Sequence, residues 1–181
     1  MKKVVLAVLL TGACAVLADD NGIYVGADIG NTAMDLKTTF NGSESTVSDD
    51  GGSQTLKLGY YFDNNNRVSL FYQNINADGA NMSNSGVGYD YLIGEHDFKP
   101  FVGFMVGYGS YDVDDLPINI AGTTYGAQIG LNYTAYKGLS LEVGYRYLKS
   151  NMEDTITGVG GSATFEIDPL SNWFLGANYK F

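Results

Sequence analysis

Eight separate stretches of this chain alternate with a period of two, apolar residues on one parity and glycine or polar residues on the other. They are residues 22–30, 55–62, 67–73, 86–94, 101–109, 124–133, 139–147 and 172–181. In GIYVGADIG, Ile23, Val25, Ala27 and Ile29 share a parity, and in LSLEVGYRY so do Leu139, Leu141, Val143, Tyr145 and Tyr147. Side chains two residues apart lie on one face of an extended strand, so the pattern demands β-sheet and leaves little room for helix. No charged residue falls on the apolar parity. The opposite parity carries Asp28, Lys57, Arg67, Asp90, Glu142, Arg146 and Lys180, set among Gly26, Gly59, Gly88, Gly103, Gly107, Gly130, Gly144 and Gly176.

Alternation alone does not say which face looks outward. In a soluble lipocalin-like barrel the apolar face points in, and the other face must solvate the molecule. A glycine-rich face with about one charge per strand does that poorly. In a membrane barrel the directions invert, and Arg or Lys is kept off the lipid face by a cost of roughly 2 to 4 kcal/mol near midplane. The expected fold is therefore all-β, an eight-stranded antiparallel up-and-down transmembrane β-barrel, with the soluble lipid carrier as its alternative. Connection lengths fit the membrane form. Residues 63–66, 95–100 and 136–138 make short turns, whereas 38–54, 110–122 and 149–170, with a shorter stretch at 76–84, make the longer loops of the opposite end.

The N-terminus supplies the compartment. Lys2 and Lys3 precede an apolar run, and Val16 and Ala18 occupy the small-residue positions of a cleavage site, so residues 1–18 are expected to be a secretory signal peptide and 19–181 the barrel. Cys14 sits in TGAC, which resembles a lipoprotein acylation site, but Thr11 stands where that motif usually has Leu. Residues 19–181 contain no cysteine, which excludes a disulfide framework and Cys-ligated metal. The formal charge of −10, more negative still without Lys2 and Lys3, excludes nucleic acid as a partner.

Two stretches carry a resemblance. LEVGYRY, 141–147, is similar to a penultimate strand of the small eight-stranded outer-membrane barrels, the OmpA and OmpX class, and the ending NWFLGANYKF, with Tyr179 and Phe181, resembles the C-terminal signal of that class. The resemblance implies a Gram-negative outer-membrane location with both termini in the periplasm. It also implies recognition of Tyr179 and Phe181 by the outer-membrane assembly machinery, and a monomer surrounded by outer-membrane lipid and lipopolysaccharide.

Candidate chemistry is sparse. Enzymes of this size and location place a base beside a nucleophile at the outer rim, yet the one histidine, His96, falls in a short turn. No catalytic residue, cofactor or metal is assigned. Asp28, Lys57, Asp90, Glu142 and Arg146 are expected inside the barrel, where opposite charges must pair. Tyr61, Phe71, Leu92, Met105, Leu148 and Phe174 share that interior. Glu44, Asp49 and Asp50, then Asp112, Asp114 and Asp115, then Glu153, Asp154, Glu166 and Asp168 make the long loops acidic. These carboxylates could share divalent cations with lipopolysaccharide phosphates or meet a host or cell-surface ligand, though no spacing matches a calcium loop. The expected function is structural or interactive, acidic loops presented above a mostly closed polar interior. The alternative is a small pore for ions or small solutes.

Overall fold

The computed structural model describes residues 21–40, 43–77, 80–113, 119–158 and 161–181. The expected signal peptide lies outside them. The described residues form nine strands: β1 (Gly22–Phe40), β2 (Ser43–Tyr61), β3 (Asn66–Ala77), β4 (Ala80–Leu92), β5 (Phe98–Val113), β6 (Asn119–Tyr136), β7 (Leu139–Ser150), β8 (Met152–Gly158) and β9 (Gly161–Lys180). From β1 to β7 each strand pairs antiparallel with the next, β7 pairs with β9, and β9 returns to β1. β7 and β8 are two pieces of one stave. Leu148 faces Leu170 and Met152 faces Ile167 on the same strand β9, and the break between the pieces falls at Asn151. The fold is a closed, all-antiparallel eight-stranded barrel.

The turns between β2 and β3, β4 and β5, and β6 and β7 are tight. Asp63 accepts hydrogen bonds from the Asn65 and Asn66 backbone N–H groups, both at 2.7 Å, and Asn65 Nδ2 donates to the Leu92 and Gly94 carbonyls, tying two neighbouring turns together. Gly138 holds the last turn with a φ of 76°, a left-handed conformation that glycine adopts without a Cβ penalty.

The longer connections differ from expectation. Most of the stretches assigned to loops continue as hydrogen-bonded strand: β1 and β2 stay in register from Gly22↔Tyr61 up to Phe40↔Ser43. The physical reason lies in the side chains. Close to the turns Ile23, Ile29, Leu56, Leu70, Phe104, Ile129, Trp173 and Leu175 stand exposed on the outer face, the apolar band a bilayer covers. Beyond that band the strand parity continues but its chemistry inverts. Asn31, Ser48, Asp50, Asn76, Asn81, Thr123 and Lys149 now face outward and exposed, while Met34, Ile75, Met82, Tyr111, Ile120, Met152, Ile167 and Leu170 pack together inside. The end of the barrel remote from the tight turns is built for water around it and an apolar core within, and hydrophobic burial holds it.

The lumen is packed with side chains through its middle and at the end remote from the turns. A second buried cluster, Tyr24, Tyr61, Leu92, Phe101 and Phe174, packs toward the end that carries the turns. The expected polar interior runs along much of the lumen, with Asn132, Ser140 and Asn178 buried toward the turns and Asn84, Thr124 and Ser150 toward the far end, and the two apolar clusters pack among these residues.

Candidate functional site

Strand parity aims Asp28 (β1), Lys57 (β2), Arg67 (β3), Asp90 (β4), Glu142 and Arg146 (β7) at the centre of the lumen, and all six are buried. Burial of an isolated charge is costly, so each must find its opposite. Arg146 Nη2 lies 2.7 Å from Asp28 Oδ2, and Lys57 Nζ lies 3.4 Å from that oxygen and 3.0 Å from Glu142 Oε2. Glu142 Oε1 pairs with Arg67 Nη1, and Arg67 Nη2 lies 2.9 Å from Asp90 Oδ2. Gln128 on β6 closes the loop: its Nε2 donates to Asp90 Oδ1, and its Oε1 accepts from Arg146 Nε at 2.9 Å. The result is a continuous ring, Arg146 to Asp28, Lys57, Glu142, Arg67, Asp90, Gln128 and back to Arg146. Its three carboxylates and three cations cancel.

The ring is packed as well as paired. The Arg67 guanidinium sits 5.4 to 5.7 Å from the ring centres of Phe101, Tyr24 and Tyr61, and that of Arg146 lies 4.0 Å from Phe174. Desolvated contacts of this kind strengthen a cation's hold on an aromatic face. Arg146 Nη1 also donates to Thr55 Oγ1 at 3.2 Å, while Asn172 Nδ2 donates to Thr32 and Ser53 hydroxyls above. Glycine makes space for this. A Cβ on Gly103 would collide with Asp90 Oδ1.

The structure thus brings together Asp28, Lys57, Asp90, Glu142 and Arg146, the interior charges expected from sequence. The expectation omitted Arg67 and Gln128. Arg67 does share the inward parity, which was its available signal; Gln128 carries no charge, and only the closed lumen shows that it bridges two ionic partners. Tyr179 and Phe181 lie apart from the ring, on the outer face, their rings 5.0 Å apart, with the Phe181 N–H donating to the Ile23 carbonyl. His96 is exposed in its turn.

At the end remote from the tight turns Glu44, Asp50 and Glu153 are exposed, Ser48 Oγ donates to Asp35 at 2.7 Å, and Lys37 meets Glu166 at 3.8 Å. Asp114 and Asp115 lie outside the described residues. Among the described residues no group of three or more His, Cys, Asp or Glu side chains is placed to hold a metal ion. Chemically, the lumen arrangement can cross-tie strands. It presents no nucleophile with an adjoining base.

Comparison with known proteins agrees with this architecture. The sequence matches the family described as the outer membrane protein beta-barrel domain over residues 4–181. No curated protein sequence matches the chain. Among solved structures, it is similar to Neisserial surface protein A, at 20% identity and a TM-score of 0.62, over 90% of this chain and 100% of that one. The outer membrane protein OprG from Pseudomonas aeruginosa matches at 16% identity and a TM-score of 0.60, over 88% and 96% of the two chains. Outer membrane protein H of P. aeruginosa matches at 26% identity and a TM-score of 0.52, over 86% and 99%.

Proposed function

The chain belongs to the outer membrane protein beta-barrel domain family, and from that premise we propose that it is a closed, non-enzymatic barrel of the Gram-negative outer membrane that carries an acidic surface outward. The observation that carries this reading is the packed middle of the lumen: a neutral ring of paired charges between two apolar clusters. A conducting path would have to pass that ring, so the arrangement favours a brace over a pore. What such a barrel offers to its surroundings is then its outer end, where Asp35, Glu44, Asp49, Asp50, Glu153 and Glu166 are answered by Lys37 and Lys149. A cationic protein surface, or lipopolysaccharide phosphates bridged by divalent cations, is the partner chemistry such a face selects.

In this reading the termini and tight turns lie in the periplasm, and the chain works as a monomer. Tyr179, exposed near the end of the closing strand, and Phe181, half-buried beyond it, form the signal read by the assembly machinery and then sit in the aromatic girdle at the membrane interface. Topology is testable because residues 19–181 contain no cysteine. Single variants Ser45→Cys and Asn64→Cys are exposed to a membrane-impermeant maleimide on intact cells. Labelling of Ser45→Cys alone supports the reading, and labelling of Asn64→Cys alone overturns it.

A further inference from the structure

The strands do not all end at one height. β1 stays paired with β2 up to Phe40↔Ser43 and with β9 up to Phe40↔Ala163, and β8 stays paired with β9 up to Gly158↔Gly161. β3 faces β2 no further than Gly52↔Asn76 and turns back after Ala77. Strands β2, β1, β9 and β8 thus rise beyond it as a four-stranded sheet, and among the described residues no strand pairs with residues 43–50 on the side away from β1. The register shows which backbone groups lie on that side. The Phe62 N–H donates to the Asn66 carbonyl at 2.9 Å, and neither the β2–β3 nor the β1–β2 pairing shifts along its length. In an antiparallel ladder alternate residues bond to opposite neighbours, so the even-numbered residues of β2 direct N–H and C=O away from β1. Glu44, Thr46 and Ser48 keep that direction where β3 has gone, and residues 43–48 are all exposed.

An open edge is a template for another strand, and proteins commonly blunt it with lysine, proline or a covering segment. Residues 43–50, SESTVSDD, contain neither lysine nor proline. One edge donor is closed from within, where Asp49 Oδ1 accepts the Asp50 N–H at 2.9 Å. Charge selects the occupant. Glu44, Asp49 and Asp50 have no Lys or Arg among them, and a second copy of this edge would bring the same three carboxylates, a repulsive match. We propose that residues 43–50 of β2 are a docking edge for an extended cationic segment of a partner protein. The segment adds antiparallel to β2, its backbone bonds to Glu44, Thr46 and Ser48, and its lysines or arginines stand opposite Glu44 and Asp49. Val47 and Phe40, 61% and 52% exposed on the parity that points inward lower in the barrel, give its apolar side chains a surface. The proposal rests on the outward acidic reading above for access from outside the cell, and gives that reading a strand and a register.

The test uses the mature barrel folded in a zwitterionic phosphocholine detergent and the fluorescently labelled peptide Lys-Lys-Thr-Val-Thr-Thr-Lys-Thr, whose lysines fall opposite Asp50, Asp49 and Glu44. Titration is followed by fluorescence anisotropy. The proposal expects saturable binding, weakened about tenfold or more when alternate peptide nitrogens are methylated and by Thr46→Pro, and about twofold or more by Glu44→Gln. Thr46→Val keeps the N–H and is expected to bind as the wild type does. Proline is tolerated at an edge position whose N–H points off the sheet, so Thr46→Pro leaves the pairing with β1 in place. A heat-modifiability gel establishes that each variant is folded, and the methylated peptide on the wild-type barrel decides the matter should Thr46→Pro fail to fold. Absence of saturable binding overturns the proposal. Equal binding of the methylated and parent peptides overturns it too, as that is charge attraction without strand pairing. Barrels that dimerise through this edge, losing the dimer in Thr46→Pro and not yielding to the peptide, would replace the cationic partner with a second copy. Binding to the purified barrel does not depend on its orientation in the membrane, which the maleimide labelling decides separately.

Discussion

Arg146 and Asp28, 118 residues apart in sequence, meet across the lumen with Nη2 and Oδ2 separated by 2.7 Å, and neither side chain reaches water. The pair ties β7 to β1, on either side of the closing strand β9. Removing Asp28 leaves Arg146 without a carboxylate in a dry interior, and removing Arg146 leaves Asp28 with Lys57 as its one cation, so the cost is about 3 to 5 kcal/mol for the first and less for the second. Asp28→Ala is expected to destabilise the barrel on that scale in urea unfolding from lipid vesicles, and Arg146→Ala by less. The double variant is expected to lose less than the sum of the two, because neither charge is then left alone. Additive losses would contradict a direct pair.

Glycine placement yields a paired test on two strands, β5 and β2. Gly103→Ala puts a methyl group into Asp90 Oδ1, so the carboxylate must leave Arg67 or Gln128, and a loss of about 1 to 3 kcal/mol is expected. Gly52→Ala meets nothing within 4 Å and is expected to lie within about 0.5 kcal/mol of the parent. Equal effects at the two positions would show that the ring imposes no spatial demand on β5.

The inverted outer end makes neighbours behave differently. Ile75 is buried at 1% exposure in the apolar core, and Asn76 beside it is exposed. Ile75→Ala is expected to cost about 2 to 5 kcal/mol by opening a cavity, and Asn76→Ala within about 0.5 kcal/mol. Were residues 74–85 a solvated loop, both substitutions would be silent in the same unfolding assay.

The Asp63 turn is expected to weaken in acid. Hydrogen bonds from the Asn65 backbone and the Asn66 side chain, with Lys99 nearby, hold its carboxyl below the usual range. A carboxylate with a lowered native pKa stabilises the fold above its unfolded pKa, and that contribution disappears as pH falls through the native one. The melting difference between wild type and Asp63→Ala is therefore expected to be present at neutral pH and to close in acid, below the ordinary carboxylate range. A difference that persists or grows there would contradict the assignment.

The membrane-facing part of each strand was legible because lipid rejects charge, leaving Ile23 to Ile29 or Trp173 to Phe181 as clean alternations. The outer extensions were not, because Met34, Ile75 and Met82 occupy the same inward parity as Asp28, Phe71 and Asp90. An apolar residue on that parity breaks a pattern defined by apolar-outward positions, so the strand looks as though it ends. The ring was legible only as separate inward charges. Which carboxylate meets which cation depends on how far each rises along the barrel axis and on the width of the lumen. Gln128, neutral and surrounded by Gly126 and Gly130, gave no sign of closing the circuit.

The central claim, that the ring and its flanking clusters close the lumen, is tested most directly by single-channel recording of the folded, detergent-purified chain in a planar bilayer, after a heat-modifiability gel has established the barrel. The account predicts a silent membrane for the wild type. Regular, reproducible conductance steps from the wild-type barrel would contradict it and would recast Lys57, Arg67, Glu142 and Arg146 as the lining of a pore.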